Sequence, residues 1–309
     1  MKRLWFTLVL AVLFSFPSIP AAAVSQKRIP AKAAVVMDDS GAVLFAKFPN
    51  ARLAPASTVK LVTAMVAIDS LDPATTVMIS KKAGKVRSIK PRLHPDEVMT
   101  VSDLLHLSLM KSINSAAVAL AEATAGSESE FVARMNRKAK EIGASNTLFA
   151  NASGLPGKGT QYTTASDLAL IMKAALCYPL IREILGKKEY LIRTAAGRDI
   201  LLENSNDLLW RQDNVIGGKT GYTGNARHCF VCAINTEKGP LFTAVLGARS
   251  RSSLWRSTLM LAEIGKDMEL EYQYERTLGV PMVDLRIEKP IVPLYQSEFT
   301  SLDLKTPEQ

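Results

Sequence analysis

The chain has 309 residues, of which 48% are hydrophobic and 22% are charged, and its formal net charge is +9. This composition excludes a disordered chain and allows one large domain or two smaller ones. The positive charge favours anionic surroundings such as cell-wall polymers or lipid headgroups, although a solvated basic surface without a specific partner is the simpler explanation.

The N-terminal residues predict a secretory signal peptide over residues 1–23. Lys2 and Arg3 precede an apolar stretch from Leu4 to Phe16, and alanines follow at 21–23. A charged start, a short apolar core and a small-residue exit are typical of a cleaved leader, and the apolar stretch is short for a bilayer. We therefore expect export to a periplasm or cell surface, which argues against a nucleic-acid partner. An uncleaved membrane anchor is the alternative.

The remaining pattern predicts strands at both ends of the chain and helices between them. Residues 33–47 resemble a β-hairpin around a turn at 38–41. Helices are predicted from near Ser57, from Thr100 or Ser102, and over 115–125, 128–142 and 164–176. From residue 188 two hairpins follow, and a helix closes the pattern near residue 268. This order predicts an α+β fold, with an antiparallel sheet that packs against helices.

The cysteines and histidines predict no metal site, and nothing in the sequence calls for a cofactor. The cysteines are three, an odd number with a single CxxC, and the three histidines show no ligand spacing. Cys229 and Cys232 lie three residues apart in a predicted strand, so their side chains should face opposite sides and form no disulfide.

Lys60 lies three residues after Ser57, at the start of a run that is almost entirely apolar. A helix that is apolar all round is normally buried, and a buried ammonium must be paired, deprotonated or used in chemistry. Side chains three apart share a helix face, so a desolvated lysine can accept the proton of the serine hydroxyl. The S-x-x-K pattern alone also fits a surface lysine.

Two further motifs follow in the chain. In "KSINSA", Ser112 can relay a proton to a leaving amine, and Asn114 can hold a substrate carbonyl and fix Lys60. Capping of a helix by these two residues is the structural alternative.

The third motif is "GGKTGYTG". Lys219 adds positive charge and Thr220 offers a hydroxyl to a terminal carboxylate, on a strand edge where a peptide can lie as an added strand. Gly221 leaves room for that approach, and the backbone N–H of Tyr222 can form an oxyanion hole with that of Ser57. A simple turn is the alternative.

With these three motifs in this order, the chain resembles the D-alanyl-D-alanine carboxypeptidases, the low-molecular-mass penicillin-binding proteins. Blocks such as "MTVSDLLHLSLMKSINSAAVALAEATAG" and "ENSNDLLW" extend the resemblance over about residues 30–265. It implies a serine β-lactamase/transpeptidase-like fold with a helical subdomain, acyl-enzyme chemistry on peptidoglycan stem peptides, and acylation by β-lactam antibiotics. We therefore predict a D,D-peptidase domain over 28–265 and a short C-terminal extension over 266–309.

The resemblance also implies roles for individual residues. Ser57 matches the nucleophile and Lys60 the general base. Arg249 follows a glycine-containing strand end, where the family often has an arginine that helps to bind the substrate carboxylate. The second and third motifs match Ser112 and Asn114, and Lys219, Thr220 and Gly221. Ile113 departs from the glycine that is usual at the middle of the second motif, and we expect its bulk to alter the groove.

Three alternatives to a carboxypeptidase remain open. A shorter D,D-endopeptidase that cleaves peptidoglycan cross-links fits the truncated C-terminal region. A class A β-lactamase would need a glutamate in an E-x-x-L-N pattern, which does not occur between Asn114 and Lys219. A non-catalytic wall-binding module would be expected to lose Ser57 or Lys60. Peripheral contact with a membrane or with anionic wall polymers is compatible with the charge.

Overall fold

The computed structural model describes residues 29–194 and 196–278, with side chains described as far as residue 269. The strands in these ranges are β1 (Ala33–Met37), β2 (Val43–Lys47), β3 (Thr76–Met78), β4 (Val98–Thr100), β5 (Glu189–Arg193), β6 (Asp199–Glu203), β7 (Val215–Thr223), β8 (Arg227–Thr236) and β9 (Gly239–Ala248). The helices are α1 (Lys60–Ile68), α2 (Lys81–Lys85), α3 (Val101–Met110), α4 (Asn114–Ala125), α5 (Glu128–Ile142), α6 (Ala165–Leu176), α7 (Pro179–Gly186) and α8 (Arg251–Leu278), with 3₁₀ helices at Ala56–Val59 and Asp207–Trp210.

A five-stranded antiparallel sheet joins the two ends of the described chain. Its strand order is β2-β1-β9-β8-β7, so the N-terminal hairpin pairs with the C-terminal strands, as the sequence pattern predicted. Among the described residues β7 pairs with β8 alone, and it forms one edge of the sheet. The edge leaves backbone N–H and C=O groups of β7 available to an incoming extended peptide.

Alternating residues of β8 pack against different layers. Phe230 and Cys232 belong to the cluster that includes residues of α8, and the Phe230 ring meets the Trp255 ring edge-on with centroids 4.8 Å apart. Cys229 and Val231 belong to the larger cluster, which is formed mainly with the helices on the other face. Both cysteines are free, so the prediction that they face opposite sides and form no disulfide is confirmed.

Helix α1 lies inside the helical layer. All of its residues from Lys60 to Ala67 are buried, as expected for a helix without a polar face. Local signals set the ends of its neighbours: the Thr100 hydroxyl accepts from the Asp103 N–H and caps α3. Gly126 and Gly143 end α4 and α5 in the left-handed conformation, with φ of +70° and +89°.

Several features differ from the sequence-based expectation. The chain between α1 and α3 contains β3, α2 and β4, none of which was predicted, and α7 was not predicted either. Helix α8 continues beyond residue 265, and the division into a domain and an extension at that residue stays a prediction. The predicted signal peptide and residues 279–309 of the predicted extension lie outside the described residues. Within the described part of the chain, none of the helices combines the length and apolar character that a bilayer span requires.

Candidate active site

Ser57 lies in the 3₁₀ helix that leads into α1, and two glycines allow the surrounding chain to approach it. The preceding residue, Ala56, has a φ of +49°, an unusual conformation for a residue with a Cβ. A Cβ on Gly154 would lie 1.9 Å from the Ala56 carbonyl oxygen, and a Cβ on Gly221 would lie 2.9 Å from the Ser57 nitrogen. Gly221 therefore brings β7, including Tyr222, beside the backbone amide of Ser57.

Lys60 has no exposed surface, and its amine is surrounded by oxygen atoms. Its Nζ atom lies 2.8 Å from Ser57 Oγ, 2.7 Å from Asn114 Oδ1 and 2.8 Å from the Ser153 carbonyl oxygen. Ser112 Oγ lies further away, at 3.5 Å. The predicted proximity of the serine hydroxyl and the lysine amine is therefore present in the structure.

These contacts suit an uncharged amine. Burial lowers the pKa of Lys60 well below its ordinary value, and the charge of Lys219 lowers it further. A neutral amine has two N–H donors and one lone pair. The carbonyl oxygens of Asn114 and Ser153 can take the two N–H groups, which leaves the lone pair for the Ser57 hydroxyl proton. The same contact allows the amine to remove that proton when the serine reacts.

The second motif is held by hydrogen bonds to residues 87 and 88, which lie earlier in the chain. The Asn114 Nδ2 atom donates to the Arg87 carbonyl at 2.8 Å, and the Asn114 backbone N–H donates to Ser88 Oγ at 2.9 Å. These bonds turn Oδ1 towards Lys60. Ser112 is partly exposed and has a φ of +62°, at the junction of α3 and α4. Ile113 has no exposed surface and packs in the main hydrophobic cluster, so the expectation that its bulk alters the groove was wrong.

The third motif lies within the edge strand β7. Lys219 is fully buried, and burial lowers its pKa to about 7. Its Nζ donates to the Thr220 carbonyl at 2.9 Å, while the Thr220 hydroxyl lies 2.9 Å from Ser205 Oγ. Tyr222 exposes 57% of its surface, and its ring lies 4.6 Å from the His228 ring. The hydroxyls of Ser57 and Thr220 thus belong to partly exposed residues, whereas both amines are enclosed.

Arg249, which the resemblance assigned to carboxylate binding, has no side-chain bond to these motifs among the described residues, and its role stays a prediction. Arg249 is exposed in the bend after β9, and it forms no side-chain hydrogen bond or ion pair within the described residues. Arg251 is better connected, because it pairs with Asp207 at 2.9 Å and lies 3.4 Å from the Ser205 carbonyl. Since Ser205 contacts the Thr220 hydroxyl, Arg251 is the arginine linked to the third motif.

Three polar residues at the site were missed in the sequence. Ser153 supplies a carbonyl to Lys60, and Asn151 shapes that loop by accepting from the Gly154 N–H at 2.7 Å. An Asn-x-Ser-Gly turn is a recognisable local signal, but its contact with Lys60 is not, because the two are far apart in the chain. Ser205 had no signal beyond its place in the block "ENSNDLLW".

Known proteins resemble this chain in sequence and in fold. A family profile described as D-alanyl-D-alanine carboxypeptidase matches residues 20–250. The D-alanyl-D-alanine carboxypeptidase DacF of Bacillus subtilis is 34% identical over 299 residues, which cover 93% of this chain and 77% of DacF. A D-alanyl-D-alanine endopeptidase of Pseudomonas aeruginosa is 31% identical over 278 residues, which cover 83% of this chain and 88% of that protein.

The fold agrees with this relationship. The crystal structure of a D-alanyl-D-alanine carboxypeptidase from Mycobacterium tuberculosis H37Rv superimposes with a TM-score of 0.73 at 33% identity, covering 77% of this chain and 91% of that one. Profile, relatives and architecture agree with the three ordered motifs and with a serine hydrolase. The chain therefore belongs to the D-alanyl-D-alanine carboxypeptidase family.

Proposed function

We propose that this protein is a serine D,D-peptidase that cleaves D-Ala-D-Ala-terminated stem peptides of peptidoglycan through an acyl-enzyme on Ser57. The observation that carries the proposal is the enclosed Lys60 amine, 2.8 Å from the Ser57 hydroxyl, with its two N–H groups directed to carbonyl oxygens. A serine hydroxyl becomes an effective nucleophile when an adjacent base accepts its proton.

Acylation begins when Ser57 Oγ attacks the carbonyl carbon of the penultimate D-alanine and its proton passes to Lys60 Nζ. The negative charge that develops on the carbonyl oxygen is stabilised by the backbone N–H groups of Ser57 and Tyr222. This role of Tyr222 is supported by the close approach of Gly221 to the Ser57 nitrogen. Asn114 holds Lys60 and is placed to contact the substrate amide.

Collapse of the tetrahedral intermediate breaks the peptide bond and leaves an ester on Ser57. The leaving amine takes the proton from Lys60, and Ser112 relays it. Lys219 and Thr220 hold the carboxylate of the leaving residue. In the second half, Lys60 takes a proton from water, the water oxygen attacks the ester, and the proton returns to Ser57 Oγ as the stem peptide leaves.

A penicillin-labelling experiment tests the nucleophile. Fluorescent penicillin should label the wild-type protein covalently, because the β-lactam carbonyl is attacked in the same way as the peptide. Ser57→Ala should abolish labelling and pentapeptide cleavage, whereas the exposed control Ser145→Ala should retain both. Labelling of a folded Ser57→Ala protein would assign the nucleophile to another residue.

An endopeptidase is the second candidate. It is supported by the resemblance to the Pseudomonas aeruginosa endopeptidase, which extends over 88% of that protein. Both activities use the same acyl half of the substrate and differ in the leaving group, which is D-alanine for a carboxypeptidase and a second stem peptide for an endopeptidase. Incubation with a pentapeptide stem and with a cross-linked muropeptide separates the two.

A β-lactamase and a non-catalytic module are less well supported. No carboxylate hydrogen-bonds to Ser57, Lys60 or Asn114 within the described residues, so a glutamate that would activate a deacylating water is not found there. Rapid turnover of penicillin, in place of a long-lived adduct, would favour the β-lactamase. The retention of both Ser57 and Lys60 argues against a wall-binding module without activity.

The proposed substrate requires export. The predicted leader over residues 1–23 supports cleavage and release outside the cytoplasm. Removal of Lys2 and Arg3 with the leader leaves a formal net charge of 9 − 2 = +7, which supports peripheral contact with anionic wall polymers or lipid headgroups. Fractionation of cells that express the full chain, with mass spectrometry of the mature N-terminus, tests this part of the proposal.

A further inference from the structure

A groove of about 520 Å³ next to the second motif is lined by several cationic side chains. Its lining includes Lys90, Arg92, His94, Lys111, Arg198 and the exposed Leu201. We refer to these six residues as the basic groove.

Its charge is only partly neutralised by neighbouring carboxylates. Arg198 pairs with Glu97 at 2.7 Å, and Lys111 lies 3.9 Å from Glu203. Lys90 and Arg92 are exposed and form no ion pair with another described residue. Two cations of this groove therefore remain available to an anionic ligand, beside an apolar surface at Leu201, whose exposed fraction is 60%.

Both walls of the basic groove are connected to the active site. On one side, the segment that carries Lys90 begins at Arg87 and Ser88, which hold Asn114. On the other side, Lys111 directly precedes Ser112, and the Met110 carbonyl accepts from the Ser205 N–H at 2.9 Å.

A series of contacts links the leaving-group side of the proposed substrate to one wall of the groove. The acyl carbonyl is expected between the N–H groups of Ser57 and Tyr222. The carboxylate of the leaving residue then lies at Thr220, which is two residues from Tyr222 along β7, a distance of about 6.6 Å. Thr220 contacts Ser205, and Ser205 contacts the chain next to Lys111. These contacts favour a path towards the basic groove for a leaving group that continues beyond its own carboxylate.

We propose that the basic groove binds the free carboxylates of the second stem peptide in a cross-linked substrate. This proposal rests on the proposed D,D-peptidase function and assigns endopeptidase cleavage to it. Stem peptides carry free carboxylates on their acidic and diamino acid residues, and the methylene chain of a diamino acid matches the apolar surface of Leu201. A carboxypeptidase product, free D-alanine, is too short to use the groove.

The test compares two substrates in one pair of variants. Lys90→Gln combined with Arg92→Gln should lower kcat/KM for a cross-linked muropeptide dimer about tenfold relative to kcat/KM for a pentapeptide, as expected for two lost exposed ion pairs. The matched control, Arg137→Gln combined with Lys140→Gln, removes the same charge from the exposed side of α5 and should leave the ratio unchanged. A dimer whose acceptor carboxylates are amidated should already show the lower ratio with the wild-type protein.

The outcomes separate this proposal from the one on which it rests. Two results would overturn the groove assignment and leave the D,D-peptidase intact. One is cleavage of the pentapeptide but not of the dimer. The other is the same ratio of kcat/KM for dimer and pentapeptide in the wild type and in both double variants. Cleavage of neither substrate would overturn both. If the groove variant alone loses retention on immobilised poly(glycerol phosphate) while its ratio is unchanged, the groove binds a phosphate polymer and the stem-peptide assignment is wrong.

Discussion

Lys60 Nζ lies 2.8 Å from Ser57 Oγ in a position where the lysine has no exposed surface. The burial and the short distance act together. Desolvation lowers the lysine pKa, and the proximity gives the resulting free amine a proton to accept. A general base within hydrogen-bond reach of the nucleophile is the geometry that acyl transfer requires.

Replacement of this amine should slow acylation by penicillin strongly. A guanidinium does not release its proton near neutral pH, so Lys60→Arg should lower the rate of penicillin acylation by about a hundredfold to ten-thousandfold. A time course of labelling with fluorescent penicillin, quenched at set intervals, measures the acylation rate. The exposed Lys140→Arg serves as the control, and a Lys60→Arg rate near that of the wild type would remove Lys60 from the role of base.

Substitution of Asn114 by aspartate should change the pH dependence of the reaction. The Asn114 Oδ1 atom is 2.7 Å from Lys60 Nζ, so a carboxylate there would favour the charged amine and raise its pKa. Acylation by Asn114→Asp should therefore be lost at neutral pH and recover at a higher pH than in the wild type. Acylation rates across a pH series provide the measurement, and an acid limb that stays in place or moves to lower pH contradicts the assignment.

Gly221 should be intolerant of even one methyl group. The Cβ of Gly221→Ala would lie 2.9 Å from the Ser57 backbone nitrogen, so either the strand or the 3₁₀ helix must move. We expect a large loss of acylation, together with destabilisation of about 1–3 kcal/mol. Gly224→Ala is the matched control, because a Cβ there meets no atom within 4 Å. Equal acylation rates in the two variants would show that β7 does not need this close approach.

Lys219 should make stability depend on pH in a predictable direction. Its pKa is about 7 in the folded protein against an ordinary value of 10.5, so between these values the unfolded chain binds one more proton. Above pH 10.5 the amine is neutral in both states, and its burial costs the folded protein no protonation energy. As the pH falls from 10.5 towards 7, the unfolded chain gains a proton that the folded protein does not bind, so the folded protein becomes less stable. Between pH 7 and 10.5 the unfolding free energy of the wild type should increase with pH. Its slope should exceed that of Lys219→Met by about 1.4 kcal/mol per pH unit.

Denaturant unfolding at several pH values measures that difference in slope. Lys140→Met, at an exposed position, should keep the wild-type slope. Parallel curves for the wild type and Lys219→Met would indicate that Lys219 keeps its proton in the folded protein.

Arg251 and Arg249 should differ in their effect on recognition of the substrate carboxylate. Arg251 lies 3.4 Å from the carbonyl of Ser205, whose hydroxyl contacts Thr220, whereas Arg249 has no such link. Arg251→Gln should therefore raise KM for a pentapeptide several-fold more than Arg249→Gln does. Steady-state kinetics with a pentapeptide and its C-terminal amide provide the measurement. A larger effect of Arg249→Gln on the carboxylate substrate alone would restore Arg249 to the role suggested by the sequence.

Local sequence patterns predicted much of this architecture because they are short-range signals. The apolar run after Ser57 indicated a buried helix, and the spacing to Lys60 placed both side chains on one face. Caps and left-handed glycines gave the ends of α3, α4 and α5. The small β3, α2 and β4 elements were missed because each is too short for hydrophobic periodicity to emerge.

The sequence by itself determined the motifs, their order and the burial of Lys60, since these depend on residue type and on spacing within one helix. Only the tertiary structure decided which distant groups complete the site: the Ser153 carbonyl at the amine, Ser205 at Thr220, and the Gly154 and Gly221 backbones against the 3₁₀ helix. It also placed Ile113 in the core, and it shows no side-chain hydrogen bond of Arg249 among the described residues. These contacts join segments far apart in the chain, and their geometry depends on how whole helices and strands pack, which no local pattern encodes.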